Sequence, residues 1–174
     1  CRVLALENEF AINAHENRIN FIVGTGHRYR AAAKRGANPP AGLLADVQAV
    51  VDDFCRRNRW YQRQEEIVRR RDRDGECFLR LFTAADGAVE VRFIEPDQVA
   101  TPPQYASLPE HSLGIVTCPR DVETVEGYYV DGLLVPAREV QHRKLGVDAN
   151  VKRGLPLFYP VRKNLRRAEK LLRN

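Results

Sequence analysis

The period of the apolar residues changes at Asp74-Gly75. Before that step they recur at helical spacing; from Glu76 onward they recur at every second residue. A chain whose hydrophobic period switches from 3.6 to 2 halfway along is neither a helical bundle nor a pure β-barrel. On the helical side, Glu7 to Val23 carries Phe10, Ile12, Ile19, Ile22 and Val23 as apolar markers and stops at Gly24-Thr25-Gly26. A Pro-Pro-Ala-Gly break follows at 39–42. Leu43 to Asn58 then shows the cleanest stripe, Leu43, Leu44, Val47, Val50, Val51, Phe54 and Cys55. That stripe predicts Leu43, Val47, Val50, Val51 and Phe54 in the core. Tyr61 to Arg73 reads as a further helix ended by Gly75.

On the strand side, Glu76 to Thr83 and Ala88 to Ile94 flank Ala84-Ala85-Asp86-Gly87, a hairpin signal with Gly87 in the turn. A proline-containing loop covers 100–113. Gly114 to Cys118, Gly127 to Val130 and Glu139 to Arg143 are short strand candidates. Helices first, antiparallel strands second and a helix last predict an α+β fold. The expected organisation is one partial domain over 1–174, with a helical part at 1–75, an antiparallel β part at 76–150 and the start of a long helix in 151–174.

That closing segment is two-faced. Read as a helix, Leu157, Val161, Leu165, Ala168 and Leu172 share one stripe, expected against the body of the domain. Arg162, Lys163, Arg166, Arg167, Lys170 and Arg173 take the rest of the cylinder, with Glu169 the single acid among them. Gly154-Leu155-Pro156 is expected to form the turn before it, with Pro160 tolerated in the first helical turn. No glycine cap follows, so the helix is expected to continue past Asn174. With Cys1 as first residue and no methionine in the chain, this predicts a piece of a longer protein.

Charge is unevenly spread. Between Glu76 and Gly132 lie ten acids and three arginines, a net of −7, so a chain of net +5 carries +12 elsewhere. The basic excess gathers in Arg56 to Arg73, with eight arginines against Glu65, Glu66 and Asp72, and in the last helix. Such blocks attract polyanions, or else are solvated helix faces. No apolar run approaches the roughly 20 residues of a membrane span, and no signal-peptide pattern opens the chain.

Catalytic and metal signatures are lacking. Gly24-Thr25-Gly26 follows a helix and has neither the third glycine of a dinucleotide loop nor the Lys-Ser/Thr of a P-loop, so Gly24 and Gly26 read as a helix stop. Cys1, Cys55, Cys77 and Cys118 form no CxxC pair and read as free thiols. His111 and Cys118 have no further close pair to complete a metal site. His15 and His142 carry no spacing signature, and Glu95 and Asp97 bracket Pro96 as turn acids. The expectation is no enzyme, no metal and no cofactor.

What remains distinctive is an order of motifs. Asn17 to Gly26 runs a helix into IVGTG. Asp74-Gly75-Glu76 opens a hairpin leading to Arg92-Phe93-Ile94-Glu95-Pro96-Asp97. Gly127-Tyr128-Tyr129-Val130 follows, then Val135-Pro136-Ala137 through His142, and finally Arg153-Gly154-Leu155-Pro156. In this order the motifs resemble the portal proteins of tailed bacteriophages, in particular the lambda-type family, over about residues 8–174. The resemblance implies a wing region leading toward the stem of a head–tail connector. Such subunits form a homo-oligomeric ring, usually of twelve, at one capsid vertex of the virion, after assembly in the host cytoplasm. Double-stranded DNA is packaged and ejected through its channel without sequence specificity. Terminase, capsid and head-completion proteins are the implied partners, with no membrane.

A DNA channel must not grip its cargo, because each neutralised phosphate adds affinity. A wall of mixed sign lets the duplex slide, and the −7 and +12 split suits it. The same split suits a ring in which a basic helix meets a neighbour's acidic sheet. The basic residues of the last helix are therefore candidates for DNA or subunit contact. Two other classes stay open: a stand-alone basic nucleic-acid-binding module, and an enzyme whose site lacks a linear motif.

Overall fold

The computed structural model describes residues 1–173, with side chains through Leu172. The α+β expectation holds, with helices first, two antiparallel sheets and a helix last. Helix α1 spans Arg2–Glu7, α2 Glu9–Ile22, α3 Leu43–Arg57 and α4 Trp60–Asp74. Strands are β1 Glu76–Thr83, β2 Val89–Ile94, β3 Ile115–Cys118, β4 Asp121–Val130, β5 Leu133–Pro136 and β6 Val140–Lys144; α5 is Arg162–Arg173. No helix among the described residues is long and apolar enough to cross a membrane.

The first helix divides differently from the sequence reading. Asn8 leaves helical geometry (φ −93°, ψ 117°) and its side chain accepts from the Ala11 N–H, so it caps α2 and separates α1. The helix stop at Gly24 and Gly26 and the Gly87 hairpin turn are as expected. Strand β5 is additional to the strands that periodicity predicts. It pairs with β4 across a two-residue turn at Asp131-Gly132, both with positive φ.

Two three-stranded sheets, ordered β2-β1-β6 and β3-β4-β5, face one another. Their facing side chains form the main core: Phe78, Ile94, Val99, Ile115, Tyr128, Val135 and Val140. Strand β1 is covered on both faces. Phe78 points to the second sheet, while Cys77 and Leu79 pack with Val91 beneath Phe54, Trp60 and Ile67 of the helices. A third cluster, Ile19, Val23 and Val68, joins α2 to α4.

The expected burial of α3 is corrected here. Leu43, Val47 and Val50 are exposed, Val50 at 70%, and Val51 and Phe54 are only half-buried. Cys55 and the capping residue Asn58 are the buried contacts instead. Asn58 Nδ2 donates to the Val89 and Phe54 carbonyls, and its Oδ1 accepts from the Val91 N–H at 2.7 Å. The amide thus continues the hydrogen-bonding edge of β2, and this fixes which side of α3 meets the sheet.

The turn at 154–156 is also shifted. Gly154 and Leu155 pass across the α4–β1 junction without turning: Leu155 donates to the Leu145 carbonyl, and Leu157 to that of Asp72. A Cβ on Gly154 would lie 1.9 Å from the Gly75 oxygen, and one on Gly75 (φ +86°) 2.5 Å from the Leu155 carbon. Glycine is required at both because two backbones touch. The turn starts at Pro156, whose carbonyl accepts from Tyr159. Helix α5 begins only at Arg162, so Pro160 precedes it. Its continuation beyond Asn174 lies outside the described residues.

Candidate functional site

Helix α5 forms because Leu165, Ala168, Leu171 and Leu172 keep helical spacing without an interrupting glycine or proline. Val161 starts it by accepting from Asn164 and Leu165. Leu165 and Ala168 are half-buried, and the end of the helix borders a groove with Glu7, Asn8 and Phe10. Leu157 is half-buried too but precedes the helix, while two members of the expected stripe depart from expectation: Val161 is 42% exposed and Leu172 67%. The helix leans on the body near its middle and leaves its end uncovered.

Of the predicted basic residues, Lys163, Arg166, Arg167 and Lys170 are exposed and form no ion pair among the described residues. Arg162 folds back, donating to the Tyr159 carbonyl at 2.6 Å and covering its ring at 4.1 Å. The Arg173 side chain lies outside the described residues. The predicted cluster is thus a four-charge face with Arg162 engaged locally.

The other basic block behaves differently. Arg69 reaches Glu16, Arg70 reaches Glu66 and Glu95, Arg71 reaches Asp72, Arg73 reaches Asp74, and Arg56 and Arg57 hold Asp53. Arg63 donates to the Asn58 carbonyl and lies over Phe93. This block is largely neutralised within the chain, which spacing alone does not reveal.

Four acids without an ion pair lie together on the second sheet. Asp121, Glu123, Glu126 and Asp131 are exposed and form no ion pair among the described residues. Leu133 and Leu134 on β5 are exposed beside them, at 73% and 58%.

A buried polar cluster sits at the start of β1. Glu76 Oε1 accepts from Arg153 Nε at 2.6 Å, and its Oε2 lies 2.9 Å from His142 Nε2. Phe78 stacks on His142 at 4.0 Å. Arg153 also donates to the carbonyls of Pro96, Val99 and Leu113, while Lys152 donates to those of Pro109, Glu110 and Ile115. Burial pushes the Glu76 carboxyl up, but the His142 bond and the charge and bond of Arg153 pull it below its ordinary value. Burial raises the Cys77 thiol to about 12, far from a reactive thiolate. The cluster's polar atoms are spent on one another and on backbone carbonyls, so it clamps the 96–115 loop and offers no free nucleophile.

His111 pairs with Tyr129, Nδ1 to hydroxyl at 2.8 Å, with Tyr105 stacked alongside, and not with Cys118. No three His, Cys, Asp or Glu side chains among the described residues gather to hold a metal ion. Sequence reasoning missed Asn58 and the Lys152–Arg153 clamp. The one signal for the clamp is a Lys-Arg pair just before Gly154. No protein-family model matches this chain, and no curated protein matches it.

Proposed function

We propose that this chain is a structural, non-catalytic subunit of a phage portal ring, part of the channel for DNA packaging and ejection at one capsid vertex. The observation that carries the reading is charge segregation. A basic α5 face and an acidic β3–β5 face stand without internal ion pairs on one chain, whereas the arginines of α3 and α4 are mostly paired within it. Two different, complementary faces on identical subunits form a heterologous contact, which generates a ring when its rotation closes. The motif order supplies the kind of ring. Exposed Leu171 and Leu172 beside the basic face, and Leu133 and Leu134 beside the acidic one, give the contact an apolar component.

The test is assembly under charge exchange, read by electron microscopy and solution mass. The chain should form closed rings. Arg166→Glu/Arg167→Glu alone should not, nor should Glu123→Lys/Glu126→Lys alone, while an equimolar mixture should restore rings of alternating subunits. A monomer at all concentrations that binds DNA with a steep salt dependence would leave the stand-alone nucleic-acid module instead.

A further inference from the structure

The strap between α2 and α3 is the least regular part of the helical half. From His27 to Gly42 it contains no Asp or Glu, yet carries Arg28, Arg30, Lys34 and Arg35. All four are exposed and unpaired among the described residues, in contrast to the arginines of α4.

The strap is nevertheless held in place. The His27 N–H donates to Gln64 Oε1 at 2.8 Å, and the Ala31 N–H donates to Gln48 Oε1 at 2.8 Å. Gln48 Nε2 donates to the Tyr29 carbonyl at 3.2 Å. The Tyr29 hydroxyl accepts from Trp60 Nε1 at 3.1 Å and from Gln64 Nε2 at 3.4 Å. Gln64 is a buried amide on α4, and both of these side-chain bonds run to the strap. Two helices thus spend glutamines, and a tryptophan its indole N–H, on fixing His27, Tyr29 and Ala31. Arg28 and Arg30 are the residues between those anchors.

We propose that this strap is a binding site for the phosphate backbone of a nucleic acid. A like-charged exposed run repels itself, and holding its backbone in place pre-organises those charges to meet an anion. Guanidinium groups bind phosphate bidentately, and each phosphate neutralised releases counterions. Trp60 Nε1 and Gln64 Nε2 hold the Tyr29 hydroxyl, and the four exposed cations make charge the principal contact. The site goes beyond the ring reading, which gives residues 27–37 no role, and does not depend on it.

Fluorescence anisotropy of labelled duplex and single-stranded oligonucleotides between 50 and 200 mM salt tests this. Arg28→Gln/Arg30→Gln/Lys34→Gln/Arg35→Gln should flatten the log affinity against log salt slope for duplex by about 0.9 for each phosphate no longer neutralised, roughly 2 to 4 in total. Gln48→Ala keeps the basic charges but releases the anchor at Ala31, and should weaken binding several-fold. Comparing the two oligonucleotides identifies which nucleic acid is held. An unchanged slope in the strap variant overturns the proposal, as does Gln48→Ala binding like wild type. Retention on phosphatidylserine vesicles with no DNA binding also overturns it. Ring formation, scored in the same samples, reports on the portal reading separately.

Discussion

Arg153 closes over Glu76, its Nε 2.6 Å from the carboxylate, and from there reaches three backbone carbonyls of the 96–115 loop. One guanidinium therefore neutralises the charge at the start of β1 and ties the link between the two sheets to it. Removing Arg153 leaves Glu76, with 4% of its side chain exposed, a buried charge facing only His142 and the Gly154 N–H. Arg153→Met should cost about 3–5 kcal/mol, as the loss of one partner of a buried pair does, measured by urea unfolding. Because Glu76 sits below its ordinary 4.5 in the folded chain, the stability it contributes is present above that value and lost as pH falls through the lower folded value. Arg153→Met raises the folded value toward or past 4.5, so this acid loss should shrink or reverse in sign. An unmoved acid limb would refute the coupling.

His15 gives a separate window. It is buried against Phe158, ring centroids 4.8 Å apart, with neither ring nitrogen hydrogen-bonded. Burial lowers its pKa below the ordinary 6.5, with Asp72 and Glu16 opposing and Arg18 and Arg73 adding to the fall. The unfolded chain then holds more protons below 6.5, so stability is full above that value and declines as pH drops beneath it. His15→Leu should remove the decline that sets in below pH 6.5. Parallel pH profiles for the two proteins would sink this assignment.

Gly154→Ala tests the backbone contact at the α4–β1 junction. Its Cβ would stand 1.9 Å from the Gly75 oxygen, and backbone cannot swing aside as a side chain can. The expected loss is about 3 kcal/mol or more, at the top of the overpacking range. Gly87→Ala, where nothing lies within 4 Å, should cost only about 1–2 kcal/mol for its left-handed backbone. Thermal unfolding of the pair gives the comparison; equal losses would mean the junction relaxes freely.

Phe54→Ala should cost about 2–3 kcal/mol, below the usual range for a fully buried phenylalanine, because the side chain is half-buried. It still packs on Trp60 at 5.1 Å and on the Cys77, Leu79, Val91 cluster. Val50→Ser should be neutral within about 0.5 kcal/mol in the isolated chain, as for a surface site. A Val50 loss comparable to that of Phe54 in a monomer would contradict the exposure of that face.

The strands Glu76–Thr83 and the helix from Leu43 were legible because hydrophobic period and turn residues are local properties. So were the helix stop at Gly24 and the α+β order. Local period does not say which side of an amphipathic helix finds a partner. Asn58 decided that for α3 by bonding the β2 backbone, leaving Leu43, Val47 and Val50 outside. Likewise, a run of arginines looks the same in sequence whether paired or free. The acids that neutralise Arg69 and Arg70, Glu16 and Glu95, lie 53 and 25 residues away along the chain, and only folding brings them within reach. The basic character of α5 was written in the sequence. That it remains uncompensated, while the richer block in α4 does not, was settled by tertiary contacts, because ion pairing depends on distance in space and not on separation along the chain.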